Sequence, residues 1–213
     1  MKLKLLKREN LVKSSPDGDP IDYYYYPFIG YVYKKRLSNT LKILDAGRVG
    51  RLLDIGFGCG IAFPELAART GELFGLEIHQ KIDEVRNSLI KEGIAPELVW
   101  GSVLKIPFAD NFFDTVVSIS TLEHIEDLSR AFAEIKRVLR PGGRAVLSFP
   151  VRNKITDWFY RLFGYAPREI HPSSHRQIIK KGLEILKLIK IKKFPSFLPL
   201  DYSLYVSVEF NKQ

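Results

Sequence analysis

Apolar and polar positions change their spacing several times between residues 51 and 150, and each change marks a new element. "RLLDIG" and "LFGLEI" are short β-rich runs that predict strands, and "IAFPELAART" between them predicts a helix ending at Gly71. In "HQKIDEVRNSLIKEG", Ile82, Val85, Leu89 and Ile90 fall on one helical face and Gly93 closes it. "ELVWGS" and "FDTVVSIS" predict a third and a fourth strand. Leu128, Phe132, Ile135 and Leu139 then recur at helical spacing until Pro141-Gly142-Gly143 stops them, and "RAVLSFP" predicts a fifth strand. Such alternation means parallel strands joined by right-handed helical crossovers, hence an open α/β sheet. The end differs: "LEILKLIKIKKF" and "LYVSVEF" are β-rich, have no helix between them and are joined through Pro195 and Pro199. They predict a closing hairpin, with one of the last strands antiparallel.

Composition narrows the class. With 213 residues, 46% of them apolar, the chain suits one globular domain. No apolar run reaches the length of a membrane span, and "MKLKLLKREN" lacks the sustained apolar stretch of a secretory signal. A single cysteine, Cys59, rules out an internal disulfide framework and a multi-cysteine metal cluster, so an intracellular, cytoplasmic protein is expected. The net charge of +9 is uneven: residues 1–50 carry +5, residues 51–150 carry −3 and residues 151–213 carry +7. Basic flanks suit nucleic acid, an anionic lipid surface or an acidic substrate, and equally the plain solvation of helix and strand faces.

"LLDIGFGCG" places three glycines at alternate positions directly behind the first strand. A phosphate-binding loop needs a lysine and a hydroxyl after its last glycine, whereas Gly60 is followed by Ile61 and Ala62. A dinucleotide fingerprint counted from Gly56 and Gly58 needs a small third residue and meets the β-branched Ile61 instead. The stretch as a whole resembles the first motif of the class I S-adenosylmethionine-dependent methyltransferases, an acidic residue before Gly-x-Gly-x-Gly. "LFGLEI" resembles their second motif. "IPFADNFFD", "LEHIED" and "RVLRPGG", in that order, are similar to the branch containing the ubiquinone and menaquinone biosynthesis methyltransferases.

The resemblance covers residues 51–150. It implies a Rossmann-like fold with seven strands, mostly parallel, one antiparallel strand in the C-terminal hairpin and helices on both faces. Residues 1–213 then form one methyltransferase domain: an N-terminal helical and aromatic extension (1–50), a cofactor-binding core (51–150), a substrate-covering insertion (151–180) and a closing hairpin (181–213). The implied cofactor is S-adenosyl-L-methionine. Its methionine end falls to Asp54, to the turn Gly56, Phe57, Gly58 and Gly60 with the following helix N-terminus, and to Ser118 and Ile119. Glu77, with Ile78 beside it, ends the second strand, where a carboxylate can accept both ribose hydroxyls. Ser102 and Val103 stand where the family often has an acidic residue for the adenine amino group.

Methyl transfer needs alignment of the acceptor, exclusion of water and, for a hydroxyl or protonated amine, a base. His124 and Glu123, in the loop after strand four, are the candidates, against a purely structural part in fixing that loop or capping the next helix. No metal is expected: Glu123 and His124 alone are an incomplete ligand set, Ser120 stands where a further carboxylate would fall, and only His171 or His175 could add to them. "DYYYYPFIGYVYKKR" and "DWFYRLFGYAPR" mix aromatic with basic residues, and Tyr25, Tyr26, Trp158 and Tyr160 are candidates to cover a small, hydrophobic or lipid-linked substrate. The same aromatics could stack nucleotide bases, as in an RNA methyltransferase, or pack extra helices on the core. Peripheral membrane contact and a non-catalytic, cofactor-binding partner subunit also fit the sequence, which leaves the oligomeric state open.

Overall fold

The computed structural model describes residues 3–13, 20–44, 49–154, 156–158 and 171–213. Seven strands form one sheet: β1 (Val49–Ile55), β2 (Thr70–Glu77), β3 (Glu97–Trp100), β4 (Phe113–Ile119), β5 (Leu139–Pro150), β6 (Lys187–Phe194) and β7 (Tyr205–Asn211). Their order is β3-β2-β1-β4-β5-β7-β6. Strands β1 to β5 are mutually parallel, and β7 runs antiparallel to both β5 and β6. The α/β class, the seven strands and the antiparallel strand in the closing hairpin are as the sequence predicts.

Central strands of such a sheet are buried on both faces, and alternate side chains go to opposite sides. Leu53 and Ile55 of β1, Val116 of β4 and Ala145, Leu147 and Phe149 of β5 join one core, with Phe132 and Ile135 of α4 (Leu128–Val138) and Ile178 of α5 (His175–Ile185). Leu52, Val117 and Val146 point the other way. There they meet Leu37 and Leu41 of α1 (Pro27–Leu44), Phe63 and Leu66 of α2 (Phe63–Ala67) and Val85 and Leu89 of α3 (Ile82–Lys91). Each such fully buried side chain contributes roughly 1.5–3 kcal/mol.

Four local expectations shift, one of them in the β-rich run "LEILKLIKIKKF", where Leu183–Ile185 still belong to α5 and β6 starts at Lys187. The helix after the glycine turn ends at Ala67, and Thr70 and Gly71 already belong to β2, where the Thr70 hydroxyl bonds the Gly50 carbonyl at 2.7 Å. Ile90, at the edge of the apolar face of α3, is 55% exposed. Leu139 is buried, but as the first residue of β5 paired with Phe113, so the strand begins before Pro141. Helix α1 is fastened to the sheet by a buried hydroxyl: Thr40 Oγ1 lies 3.0 Å from Ser148 Oγ on β5 and 3.1 Å from Ser207 Oγ on β7.

Candidate active site

Strand order reverses between β1 and β4, whose outward connections leave in opposite directions, and the carboxyl ends of such a pair frame a crevice. The glycine turn forms its floor. Gly56 has φ +73°, a conformation L side chains rarely adopt, and an added Cβ would lie 2.1 Å from Thr121 Oγ1. Gly58, φ +52°, is the reverse case: its Cβ would meet nothing within 4 Å, so the backbone lies open to whatever enters.

Glu77 closes β2 beside this turn. One carboxylate oxygen accepts the Gly58 N–H at 2.8 Å and the other the Ile78 N–H at 2.7 Å. The group is thereby fixed in orientation, while each oxygen keeps capacity for another donor. Asp54, at 2% exposure, has one oxygen, Oδ1, buried and without a hydrogen-bond partner. Burial, reinforced by the Glu77 charge, pushes its carboxyl up to about 8.

A cavity of about 170 Å³ opens over these groups, lined by Asp54, Gly56, Gly58, Ile119 and Ser120 from the strand ends and by Tyr24, Tyr33 and Arg36 from the N-terminal part. Pockets that enclose a drug-sized ligand run to roughly 300–1,000 Å³, so this one has room for only part of such a molecule. Arg36 is held between the rings of Tyr33 and Tyr205, 4.4 and 4.8 Å from their centroids. It donates to Ser120 Oγ at 2.8 Å, and its Nε is buried without a partner. Ser120 takes a left-handed φ of 56° and lies 2.8 Å from Tyr205 Oη as well. A non-glycine residue held there by surrounding bonds is a mark of sites where geometry matters more than local energy.

Beyond Ser120 the chain makes one turn, Leu122–His124. Glu123 is 2% exposed, its Oε2 lacks a partner, and burial pushes its carboxyl up to about 8. His124 is exposed, and its ring lies 4.9 Å from that of His171, centroid to centroid. Neither Glu123 nor His124 caps the next helix; Asp127 does, accepting the Arg130 N–H. The His171 segment is secured to this loop by Ser173, whose N–H bonds the Glu123 carbonyl at 3.1 Å and whose hydroxyl bonds the Ile125 carbonyl at 2.5 Å. His175 is occupied elsewhere: Nδ1 accepts the Arg152 N–H at 3.1 Å and Nε2 lies 3.0 Å from Asp201 Oδ1.

The crevice gathers Asp54, Gly56, Phe57, Gly58 and Ile119, and Glu77 is joined to it through its bond to Gly58. Ser118, also at the β4 end, is buried with Oγ unpartnered. Val103 buries its side chain in the core, and Ser102 Oγ accepts the Leu104 N–H at 3.2 Å. Gly60, φ +75°, opens the turn into α2, a helix of only five residues. Ile78 is 65% exposed next to Trp100, whose indole N–H bonds its carbonyl. The aromatic candidates divide differently. Tyr25 donates its hydroxyl to the Leu6 carbonyl, and Tyr26 packs against Tyr23, so the crevice is lined by their neighbour Tyr24 and by Tyr33. Trp158 is exposed, and Tyr160 lies outside the described residues. Arg36, Tyr33 and Tyr205 escaped the sequence reading. Their only signal was an arginine among tyrosines in "YVYKKR", and no spacing rule ties it to strand four or strand seven.

Comparison with known proteins agrees with this geometry. Residues 53–147 match the family described as a methyltransferase domain. The demethylmenaquinone methyltransferase of Bacillus velezensis is 31% identical over 119 residues, which make up 54% of this chain and 51% of that protein. The chain thus spans about half the length of the curated relatives it matches. The PH0226 protein of Pyrococcus horikoshii superposes with a TM-score of 0.72 at 18% identity, covering 92% of this chain and 96% of that one. A geranyl diphosphate methyltransferase in complex with S-adenosylmethionine gives 0.70 at 17% identity, covering 93% of each chain. At these identities the structural likeness is one of fold. Strand order, glycine turn and sequence match converge on residues 53–147, the segment that matches the methyltransferase domain family.

Proposed function

We propose that this domain binds S-adenosylmethionine in the β1–β4 crevice and directs its methyl group onto a small acceptor with a substantial apolar part. The observation that carries the reading is the pairing of an open glycine backbone at Gly58 with two carboxylates of different character. Glu77 is oriented by two backbone N–H groups, and Asp54 is buried with an unpartnered oxygen. A ribose diol suits the first and an ammonium group the second.

The cofactor supplies, when bound, a methyl group already activated by a sulfonium centre. The chain's part is to bind, orient and exclude water. Glu77 holds the ribose hydroxyls, and Ile78 offers an exposed apolar side chain beside it. Asp54 would hold the methionine ammonium, releasing its own proton to solvent. The methionine carboxylate falls to Arg36, which lines the same cavity with a free Nε, rather than to the N-terminus of α2, which is too short to act as an anion site. Tyr24, Tyr33, Phe57 and Ile119 give the acceptor end an aromatic and apolar wall. A quinone-like ring fits such a wall, in keeping with the menaquinone-pathway name of the Bacillus relative. Glu123 is the less accessible of the two candidate bases, being buried and outside the lining of the cavity. Proton removal from an acceptor then falls to His124, whose ring is exposed.

Calorimetric titration with S-adenosylmethionine and its demethylated product, with NAD as control, tests the reading. Micromolar binding of the first two, lost in Glu77→Ala, supports it. Preference for NAD, or binding indifferent to Glu77, overturns it.

A further inference from the structure

We propose that Glu123, His124 and His171 form a binding site for a divalent transition-metal ion at the mouth of the crevice. One ligand atom from each lies within 4.8 Å of the other two. Around a tetrahedral zinc with ligands at roughly 2.0–2.1 Å, neighbouring ligand atoms are about 3.3 Å apart, so binding would draw the three atoms together by about 1.5 Å at most.

The buried Glu123 carboxyl group points independently to a cation, whose binding would release its proton to solvent. Glu123 is 2% exposed and its Oε2 has no hydrogen-bond partner, a state folded proteins rarely leave uncompensated. The nearest fixed charge does not satisfy it. Arg36 spends its Nη2 on Ser120 and stacks between Tyr33 and Tyr205, forming no ion pair with Glu123. The two histidines come from separate segments, and Ser173 fastens one segment to the other through the carbonyls of Glu123 and Ile125. The pair is therefore positioned by backbone contacts rather than by chance proximity of loops.

The donor set names the class of ion. Two imidazoles and one carboxylate suit zinc, cobalt, nickel, manganese or ferrous iron, whereas magnesium and calcium prefer oxygen ligands throughout. Three protein ligands leave at least one coordination position open. Arg36 and Ser120 both line the cofactor cavity and are bonded to each other, and the turn Leu122–His124 is separated from Ser120 by Thr121 alone, which places the ion next to the crevice. An oxygen of the acceptor can occupy the open position, where the ion polarises it.

The test uses the full chain, stripped with chelator and titrated with Co²⁺ without cofactor, read by visible ligand-field absorption and calorimetry. The expected result is one equivalent bound with the spectrum of a four- or five-coordinate ion. Affinity should fall by more than about 100-fold in H124A, H171A and E123Q, beyond the usual loss from an outer-shell partner. H175A, whose ring is committed to Arg152 and Asp201, should bind as the parent does. Retained S-adenosylmethionine binding and circular dichroism show that each variant is folded, and His124, being exposed, is the safest of the three. Absence of a cobalt spectrum, or binding unchanged in H124A and E123Q, overturns the proposal. Neither result bears on the cofactor titration, so the two readings fail separately.

Discussion

The Glu77 carboxylate accepts the backbone N–H of Gly58 at 2.8 Å, so the end of strand β2 and the middle of the glycine turn are one rigid unit. A charge-assisted bond to a carboxylate is worth about 1.5–3 kcal/mol. Glu77→Ala should lose both this brace and the contact with the ribose, raising the dissociation constant for S-adenosylmethionine by about 100-fold or more. Glu77→Gln keeps one acceptor oxygen and should lose less. Calorimetric titration of both variants decides it, and equal affinities would remove Glu77 from the site.

Asp54 predicts a pH dependence of cofactor binding. In the free protein its carboxyl is protonated up to about 8, and an ammonium partner requires the ionised form. Binding below that value therefore carries the cost of removing the proton, and affinity should rise from pH 6 towards pH 8. Above about 8 the ligand's α-amino group, with a usual pKa near 7.7–8.0, begins to lose its own charge. Asp54→Asn should weaken binding and flatten the rising limb.

Stability without cofactor should move the opposite way. Asp54 and Glu123 both have carboxyl groups pushed by burial up to about 8, far above the ordinary carboxylate range. Groups raised in this way stabilise the fold fully below their unfolded pKa, and that contribution is lost as pH rises through the folded one. The midpoint of thermal unfolding should fall between pH 4 and pH 8. Asp54→Asn and Glu123→Gln should each reduce that fall, most visibly near pH 8. A flat profile in the parent would show that neither acid is buried as described.

Gly56 and Gly58 should respond differently to alanine. At Gly56 the new methyl would collide with the Thr121 side chain at 2.1 Å as well as strain a positive φ, so Gly56→Ala should cost at least ~2 kcal/mol of stability. At Gly58 the space is open and only the backbone conformation opposes the change, about 1 kcal/mol, but the methyl fills the cradle and should weaken cofactor binding. Thermal unfolding and titration of both variants separate the two effects.

Arg36 should not tolerate lysine. Its planar group lies between two tyrosine rings and bonds Ser120 in a fixed direction, neither of which an ammonium reproduces. Arg36→Lys should weaken S-adenosylmethionine binding by about 10- to 100-fold with little change in secondary structure, as titration and circular dichroism can show.

What could be read from the residues alone follows the range of the interactions. Strands β1 to β5 were legible because period-two burial on both faces is written locally, as in Leu52 against Leu53 or Val116 against Val117. Asp54, the glycines and Glu77 were legible because strand ends and turns carry their own residue requirements. The bound on α2 was misread because "LAART" has helical composition, while Thr70 is drawn into β2 by its hydroxyl bond to Gly50. Arg36, Tyr205 and the approach of His171 to Glu123 depend on how α1, β7 and the segment before α5 close over the sheet, at separations of 48 to 85 residues for the bonds that hold them. No local pattern encodes such meetings.

The position of β7 has a consequence for how the chain assembles during synthesis. Strand β7 follows β6 in sequence yet lies inside it, between β6 and β5. Until it emerges, β5 presents a long unpaired edge of buried-type residues, from Ala145 to Phe149, and Ser207 is not there to receive Thr40 of α1. The nascent protein therefore passes through an interval in which a nearly complete parallel sheet is exposed along one side, the kind of edge that recruits other chains. Ribosome-bound intermediates that stop between β6 and β7 are where chaperone capture should concentrate.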